Sequence, residues 1–375
     1  MRRQVSRAGV LGLLTFVGVG LLTALPAHAQ TFTWASSPAN WYWNATALDW
    51  NTGGKSNVAW VNSTTSSQAV FNTTAGSTTL AVNSAISANA ITFNSGAAGY
   101  ALGASGGTIT LGTGGITAHE TATIQTPITL FGGTESWTVD STKTLTVGAV
   151  SDGGSAYGLV KTGNGTLALT GNSTYTGGTT VSGGTLVVAG SLGNTAVTVS
   201  PGAALGGTGT IGGSVTVSAG AGPLAGGSLN LIDGTVGTLT LSDSNSADTV
   251  LTVGRGPIGS PSMLAFEVGT TADRIQATAG KVMVDPGGAV INITTLPGFG
   301  PGDYDLIDFM SGQASGLGNL TLATTSLSGY TLSLQTTPTA EQLVVKGTPE
   351  PGTLALLAAA VACGLVAWRR KAEGP

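Results

Sequence analysis

The side chains best suited to acid–base or metal chemistry are scarce in this chain. It contains two histidines, and His28 lies in an N-terminal leader that we expect to be removed. The other, His119, stands beside Glu120 where a strand should pass into a turn. A zinc site needs three or four His, Cys or carboxylate ligands, and this inventory is too thin to supply them. We therefore interpret His119 as a surface residue and expect no metal and no cofactor.

The densest carboxylates are Asp303, Asp305 and Asp308. Their spacing suits calcium, but no loop of EF-hand or glycine-rich nonapeptide form surrounds them. If Asp303–Leu306 is a strand, Asp303 and Asp305 share one face and Leu306 points to the other. We expect these carboxylates to lie on a solvated strand edge.

A regular repeat of short predicted strands must position these side chains. Gly-Thr-Leu-Ala-Leu at Gly165–Leu169 returns as Gly-Thr-Leu-Val-Val at Gly184–Val188, 19 residues later. In each copy the large aliphatics alternate with small or polar residues, which is typical of a short, half-buried strand. A repeat of about 20 residues made of strands and turns predicts a solenoid, in which each coil buries its apolar face against its neighbours.

The strongest copy of this repeat also resembles a known motif. From Lys161 to Leu186 the chain reads KTGxGTLxLxGNxxYTGGTTVxxGTL, which is similar to the autotransporter-associated β-strand repeat. The resemblance covers residues 158–190. It implies a passenger-type β-helix of a bacterial surface protein and carries no catalytic residues.

Apolar-x-apolar pairs continue the pattern between residues 70 and 241, at a length that predicts eight or nine coils. They are Ile91/Phe93, Ile109/Leu111, Ile128/Leu130, Trp137/Val139, Leu145/Val147, Val197/Val199, Val215/Val217, Leu229/Leu231 and Leu239/Leu241. The predicted fold class is all-β, a right-handed parallel β-helix with a cap at each end. We predict a Trp-rich cap at 30–69, the solenoid at 70–242, and the last coils with a C-terminal β cap at 243–347.

The N-terminal cap is predicted from an aromatic cluster. Five of the seven tryptophans lie between Trp34 and Trp60. Their faces could stack on sugar rings, but we favour a cap over the open end of the first coil, because an uncovered solenoid end invites aggregation.

Composition narrows the function. Charged residues make up 8% of the chain, whereas 41% of residues are hydrophobic and mean hydropathy is +0.30, which favours ordered β structure over disorder. Residues 30–348 hold seven Lys/Arg and fifteen Asp/Glu, a net charge of −8, so no basic patch exists for nucleic acid. The single cysteine, Cys363, lies near the C-terminus, so the body has no disulfide and no thiolate site.

Residues 1–29 have the pattern of a signal peptide. Three arginines precede an uncharged apolar stretch, and Ala27 and Ala29 form the small-x-small pattern that signal peptidase cleaves. Cleavage would leave Gln30 as the first residue.

The composition changes again at residue 348. Pro349, Glu350 and Pro351 precede fifteen uncharged residues that end at Trp368, and the basic cluster Arg369, Arg370 and Lys371 follows. The apolar run predicts a short transmembrane helix at 352–368, with the basic cluster on the cytoplasmic side and the body outside. An ordinary tail anchor is the alternative.

Together these three parts resemble the PEP-CTERM sorting signal. The resemblance implies that exosortase, a membrane cysteine protease, recognises Pro349, Glu350 and Pro351 and releases or transfers the body. The body would be held in the inner membrane transiently and would then reach the cell surface or extracellular matrix.

We predict an exported, non-enzymatic β-solenoid with a structural or adhesive role in exopolysaccharide or biofilm. The alternative is a β-helical polysaccharide lyase or hydrolase, which would need clustered basic residues or paired carboxylates on one face. The charged residues between 120 and 243 are scattered instead of recurring at coil spacing: Glu135, Asp140, Lys143, Asp152, Lys161 and Asp233. This scatter disfavours an enzyme.

Overall fold

The computed structural model describes residues 30–34, 42–43, 46, 50–52, 55–72, 79–97, 99–221, 225–243, 248–256, 259–327 and 329–348. The predicted leader (1–29) and the tail beyond residue 348 therefore lie outside the described residues. The described part is almost entirely β, with one short 3-10 helix at Leu317–Asn319.

The strands are short, most of them two to five residues long. In the first half they are β1 (Gln30–Trp34), β2 (Tyr42–Trp43), β3 (Trp50–Thr52), β4 (Lys55–Val58), β5 (Ser63–Phe71), β6 (Thr79–Val82), β7 (Ala85–Phe93), β8 (Ala101–Ala104), β9 (Thr108–Ala118), β10 (Ala122–Ile124), β11 (Ile128–Leu130), β12 (Glu135–Val139), β13 (Thr144–Val147), β14 (Val150–Ser151), β15 (Leu159–Thr162), β16 (Thr166–Leu169), β17 (Asn172–Ser173) and β18 (Thr179–Val181). In the second half they are β19 (Thr185–Val188), β20 (Ser191–Leu192), β21 (Val197–Val199), β22 (Ala204–Gly206), β23 (Thr210–Ile211), β24 (Val215–Ser218), β25 (Ser228–Asn230), β26 (Thr238–Ser242), β27 (Thr249–Arg255), β28 (Ser262–Val268), β29 (Arg274–Ala279), β30 (Lys281–Val284), β31 (Ala289–Thr295), β32 (Gly302–Asp308), β33 (Ala314–Ser315), β34 (Leu320–Leu322), β35 (Ser326–Leu327), β36 (Tyr330–Thr336) and β37 (Ala340–Gly347).

Three sheets run along the stack. The first has the order β33-β30-β27-β24-β21-β18-β15-β12-β9-β7-β5-β1-β3-β4, with β11 and β14 paired beside β9. The second has the order β2-β6-β8-β10-β13-β16-β19-β22-β25-β28-β31-β34, and the third β17-β20-β23-β26-β29-β32-β37-β36-β35. Neighbours in the second sheet are all parallel, and each comes from the next coil of the chain. The predicted parallel β-helix is confirmed.

The core is a set of ladders along the stack axis. In the second sheet Leu145, Leu167, Leu186, Leu205 and Leu229 occupy successive register-paired positions. All five are at most 1% exposed. Burying each leucine contributes roughly 1.5–3 kcal/mol, and each contact joins only adjacent coils. The period-2 alternation thus becomes a column of leucines inside the helix.

The apolar pairs that alternate along the sequence all lie in this core, as predicted. Between residues 70 and 242 the second sheet contributes eight strands, β6, β8, β10, β13, β16, β19, β22 and β25, which agrees with the expected eight or nine coils. Coil length varies, because 19 residues separate Leu167 from Leu186 but 35 separate Leu229 from its partner Leu264. Part of the extra length lies in longer strands, since β26 and β27 have five and seven residues where β17 and β18 have two and three.

An aromatic cluster fills the N-terminal end of the described stack. Trp34, Trp43, Trp50 and Trp60 are at most 2% exposed, and Trp34 meets Trp50 edge to face at 5.0 Å. Phe71 packs against Trp43 and then stacks on the next coil. These four indoles are inside the protein, where a sugar from solvent cannot stack on them.

In the third sheet the parallel stacking ends at β32. Strand β37 pairs with β32 antiparallel, and β36 pairs with β37 in the same way. The β36–β37 hairpin therefore covers the last parallel strand of the third sheet.

Candidate functional site

The histidine and its neighbour lie in two surface contacts between coils. His119 Nδ1 is 2.8 Å from Asp140 Oδ2, and both side chains are more than a third exposed. Lys143 Nζ donates to Glu120 Oε2 at 2.6 Å, and this bond lowers the pKa of Glu120. Each pair joins residues of successive coils, so these contacts link neighbouring coils at the surface.

The predicted carboxylates lie on β32, but not on a simple strand edge. This strand has β37 on one side and β29 on the other. Leu306 and Ile307 are both fully buried, so the alternation of β32 breaks after Leu306. The register with β37 shifts between Asp305 and Ile307, and such a β-bulge turns two consecutive side chains towards one face.

A cleft opens where β32 separates from β29. The two strands pair only at Ile275↔Ile307 and Gln276↔Asp308, whereas β32 begins at Gly302. The space left beside residues 302–305 has a volume of about 540 Å³. Its lining includes Thr238, Thr270, Arg274, Asp303, Tyr304 and Asp305. A second depression of about 370 Å³ follows on the same sheet and shares Asp305.

We call this space between β29 and β32 the seam cleft, and two of its carboxylates have side-chain partners. Gln342 Nε2 donates to Asp305 Oδ1 at 2.7 Å, and Arg274 Nη1 is 3.2 Å from Asp308 Oδ2. Burial raises the pKa of Asp308, and the charge of Asp305 adds to this, while Arg274 opposes it. Asp303 is exposed at the mouth of the cleft. Sequence reasoning located the three aspartates, but Arg274 and Gln342 are distant in the chain and only the fold brings them there.

Buried carboxylates position the opposite wall of the cleft. Asp273 is fully buried, and its Oδ1 accepts from Gly237 N at 2.7 Å while its Oδ2 accepts from Glu267 N at 2.6 Å. Glu267 Oε2 accepts from Gly234 N at 2.7 Å. Desolvation raises the pKa of Asp273, and the charge of Glu267 raises it further, against the two backbone hydrogen bonds. The loop that leads to Thr238 is therefore held by charged hydrogen bonds to its backbone.

An aromatic residue, Tyr304, also lines the same cleft. Tyr304 Oη donates to Gly300 O at 2.9 Å, and the ring lies against Gly302, where an added Cβ would meet it at 3.5 Å. Phe299 stacks on Tyr304 at 6.5 Å and meets Tyr330 edge to face at 5.3 Å. All three rings are partly exposed. These rings lie at the opposite end of the described stack from the tryptophan cluster.

Two charged residues inside the helix escaped sequence reasoning. Glu135 and Lys161 are both fully buried. Burial raises the pKa of Glu135 to about 8, against a hydrogen bond from Trp137 Nε1 at 3.0 Å. Burial lowers the pKa of Lys161 to about 8, and its Nζ donates to the carbonyl oxygens of Thr162 and Gly163, at 2.8 and 2.9 Å. Both residues stand at strand positions that the period-2 alternation assigns to the core. That position in the pattern could have identified them as buried charges.

The predicted processing residues lie at or beyond the limits of the described chain. Gln30, the expected first residue after signal peptidase cleavage, is the first residue of β1, whereas Ala27 and Ala29 are outside the described residues. Pro349, Glu350, Pro351, Arg369, Arg370 and Lys371 are also outside, as is the expected helix at 352–368. In the part that the structure describes, no helix is long and apolar enough to span a membrane, and no cluster of three metal-ligating side chains occurs.

The parallel strands stacked coil on coil in three sheets define a class, the parallel β-solenoids. Two family models then match the chain. Residues 159–188 match the passenger-associated-transport-repeat, and residues 348–371 match the PEP-CTERM protein-sorting motif. Both resemblances are confirmed, and the chain is an exported β-helical surface protein that carries a motif for exosortase processing at the membrane. No curated protein matches the chain.

Proposed function

We propose that this protein is a non-enzymatic structural or adhesive component of an exopolysaccharide or biofilm matrix, delivered through its PEP-CTERM tail. The observation that carries the proposal is the position of the sorting motif. Thr348, the first matched residue, still hydrogen-bonds Gly329 through its backbone N–H and through its hydroxyl. The Pro-Glu-Pro tripeptide follows at the next residue. A protease acting there would leave the β-helix whole.

The carboxylates of the seam cleft support a binding role over catalysis. Asp305 accepts a hydrogen bond from Gln342, and Asp308 forms an ion pair with Arg274. A glycosidase needs one carboxyl group as general acid and a second as base or nucleophile, free to reach the scissile bond. The acid whose pKa is raised to about 8, Glu135, lies inside the solenoid and bonds Trp137.

The sorting step is tested by Glu350→Gln in the producing bacterium, with Glu373→Gln as the matched control beyond the basic cluster. Wild type and the control should appear at the surface or in the matrix without the segment after Pro351, as read by mass spectrometry of the C-terminal peptide. Glu350→Gln should accumulate uncut in the inner membrane. An intact C-terminus on the extracellular wild-type protein would contradict the proposal.

A structural role is tested by removing the protein. A deletion strain should form a matrix that retains less polysaccharide after washing, and the wild-type gene should restore it. The competing function, a polysaccharide-degrading enzyme, has one observation in its favour, the carboxylates that line a cleft. Release of reducing ends from neutral or acidic polysaccharides by the wild type, lost in Asp303→Ala/Asp305→Ala, would establish that function instead.

A further inference from the structure

We propose that the seam cleft between β29 and β32 binds a segment of a polysaccharide built from neutral or amino sugars, and not one rich in uronic acids. This inference rests on the proposed matrix function and names the ligand class and its site. The cleft volume, about 540 Å³, lies within the range of roughly 300–1,000 Å³ typical of small-ligand sites. Such a volume suits a short stretch of sugar rings.

The lining has the groups that a sugar needs. The Tyr304 ring is held in place by the bond to Gly300 O and offers an apolar surface with a polar tip. Asp303 and Asp305 can accept hydrogen bonds from sugar hydroxyls, Asp303 through both oxygens and Asp305 through Oδ2, because Gln342 donates to its Oδ1. Thr238 and Thr270 add hydroxyls that both donate and accept. Strand alternation turns Asp303 and Asp305 to one face of β32 and Tyr304 to the other, so a sugar in the open space beside this strand would meet the carboxylates on one side and the ring on the other.

The cleft is also built before any ligand arrives. Asp273 bonds Gly237 N, and Glu267 bonds the backbone of Asp233 and Gly234, so the loop on one side is fixed. The β37 strand fixes the other side through its pairing with residues 302–305. A site whose walls are held by their own hydrogen bonds loses little entropy on binding.

The charge of the lining decides between ligand classes. Across the cleft and the adjoining depression the charged side chains are Asp303, Asp305, Asp308 and Arg274. Arg274 is paired with Asp308, and among the described residues no cation pairs with Asp303 or Asp305. Two such carboxylates repel a uronate and favour a hydroxyl or an ammonium group. The adjoining depression shares Asp305, so a chain could extend from one to the other along the sheet.

The test uses the exported protein purified from producing cells and isothermal titration with three hexasaccharides: a β-glucan, a chitosan and a polygalacturonate. The neutral or amino-sugar probe should bind and the uronate should bind at least tenfold more weakly. Asp303→Asn and Tyr304→Leu should each weaken binding by tenfold or more. Asp285→Asn, in a turn outside the cleft, should leave it unchanged, and thermal melting of every variant shows that the fold is retained.

Three results would overturn the inference: binding of none of the probes, tightest binding of the uronate, or binding that Asp303→Asn and Tyr304→Leu leave intact. Export and tail processing are measured in the same cultures. Correct delivery without glycan binding defeats the cleft inference alone, whereas glycan binding by a protein that stays uncut in the inner membrane defeats the sorting proposal alone.

Discussion

Trp137 and Lys161 occupy register-paired positions on β12 and β15, so an indole and an ammonium-bearing side chain are neighbours in one interior column. Each finds a different polar partner. The Trp137 N–H donates to Glu135, and the Lys161 ammonium donates to carbonyl oxygens of the Thr162–Gly163 turn and, at 3.1 Å, to Gly183 O of the next coil. The ionisable side chains of Glu135 and Lys161 are thus buried one coil apart, and they form no ion pair with each other.

Glu135 should make the protein less stable as pH rises from about 4.5 to 8. Its folded-state pKa is raised to about 8, so the folded state holds a proton that the unfolded state has already released in this window. The stabilisation is complete below pH 4.5 and is lost as pH rises through 8. Between pH 4.5 and 8 the wild type should lose unfolding free energy on the order of a few kcal/mol through this group, and Glu135→Gln should not. Denaturant unfolding across this pH range measures the difference. Glu120→Gln is the control and should show the same dependence of unfolding free energy on pH as the wild type. If Glu135→Gln also showed that dependence, the pH effect would not come from Glu135.

Lys161 should have the opposite effect at higher pH. Its folded-state pKa is lowered to about 8 from 10.5, so between these values the unfolded state binds the extra proton and stability rises with pH. Lys161→Met keeps the apolar stem against Trp137 and removes the titration. Its stability should be independent of pH from 8 to 10.5 where that of the wild type increases, as thermal melts would show. Lys143→Met, which removes a surface lysine, should retain the wild-type rise.

Gly184 should tolerate alanine far less well than Gly202. Both have positive φ, 62° and 78°, which costs alanine about 1–2 kcal/mol. At Gly184 an added Cβ would also meet Gly165 O at 2.3 Å, whereas nothing lies within 4 Å at Gly202. Overpacking adds roughly 1–3 kcal/mol, so Gly184→Ala should lose about twice as much unfolding free energy as Gly202→Ala. Similar losses in the two variants would show that close approach of stacked turns does not constrain the repeat.

Leu186→Ala should interrupt the leucine ladder of the second sheet. Leu186 is fully buried between Leu167 and Leu205 of adjacent coils, and truncation of such a leucine costs about 2–5 kcal/mol. Because each coil contacts only its neighbours, the loss should split unfolding into two transitions instead of shifting one. Val187→Ala, on the outer side of the same strand, should cost about 1 kcal/mol or less and keep a single transition. Calorimetry distinguishes these outcomes.

The residues alone determined the architecture of this protein. Alternation at Leu167/Leu169 and Leu186/Val188, repeated after 19 residues, suffices for a stacked parallel β-helix, because the period of two assigns each side chain to the core or the surface. The sorting motif is also a local pattern, and its recognition needed no coordinates. Both the strand repeat and the sorting motif can be recognised from short stretches of consecutive residues.

The seam cleft was decided only by the tertiary structure. Arg274, Asp305 and Gln342 come from three strands, β29, β32 and β37, and the bulge after Asp305 is set by the pairing of β32 with β37. Variable coil length moves residues out of the simple repeat, so sequence spacing cannot tell which side chains meet. The buried Glu135 and Lys161 stand at strand positions that the alternation assigns to the core, but they are charged where the pattern elsewhere has apolar residues. Only the packing around them, with a tryptophan N–H and turn carbonyls in reach, explains how the core accommodates them.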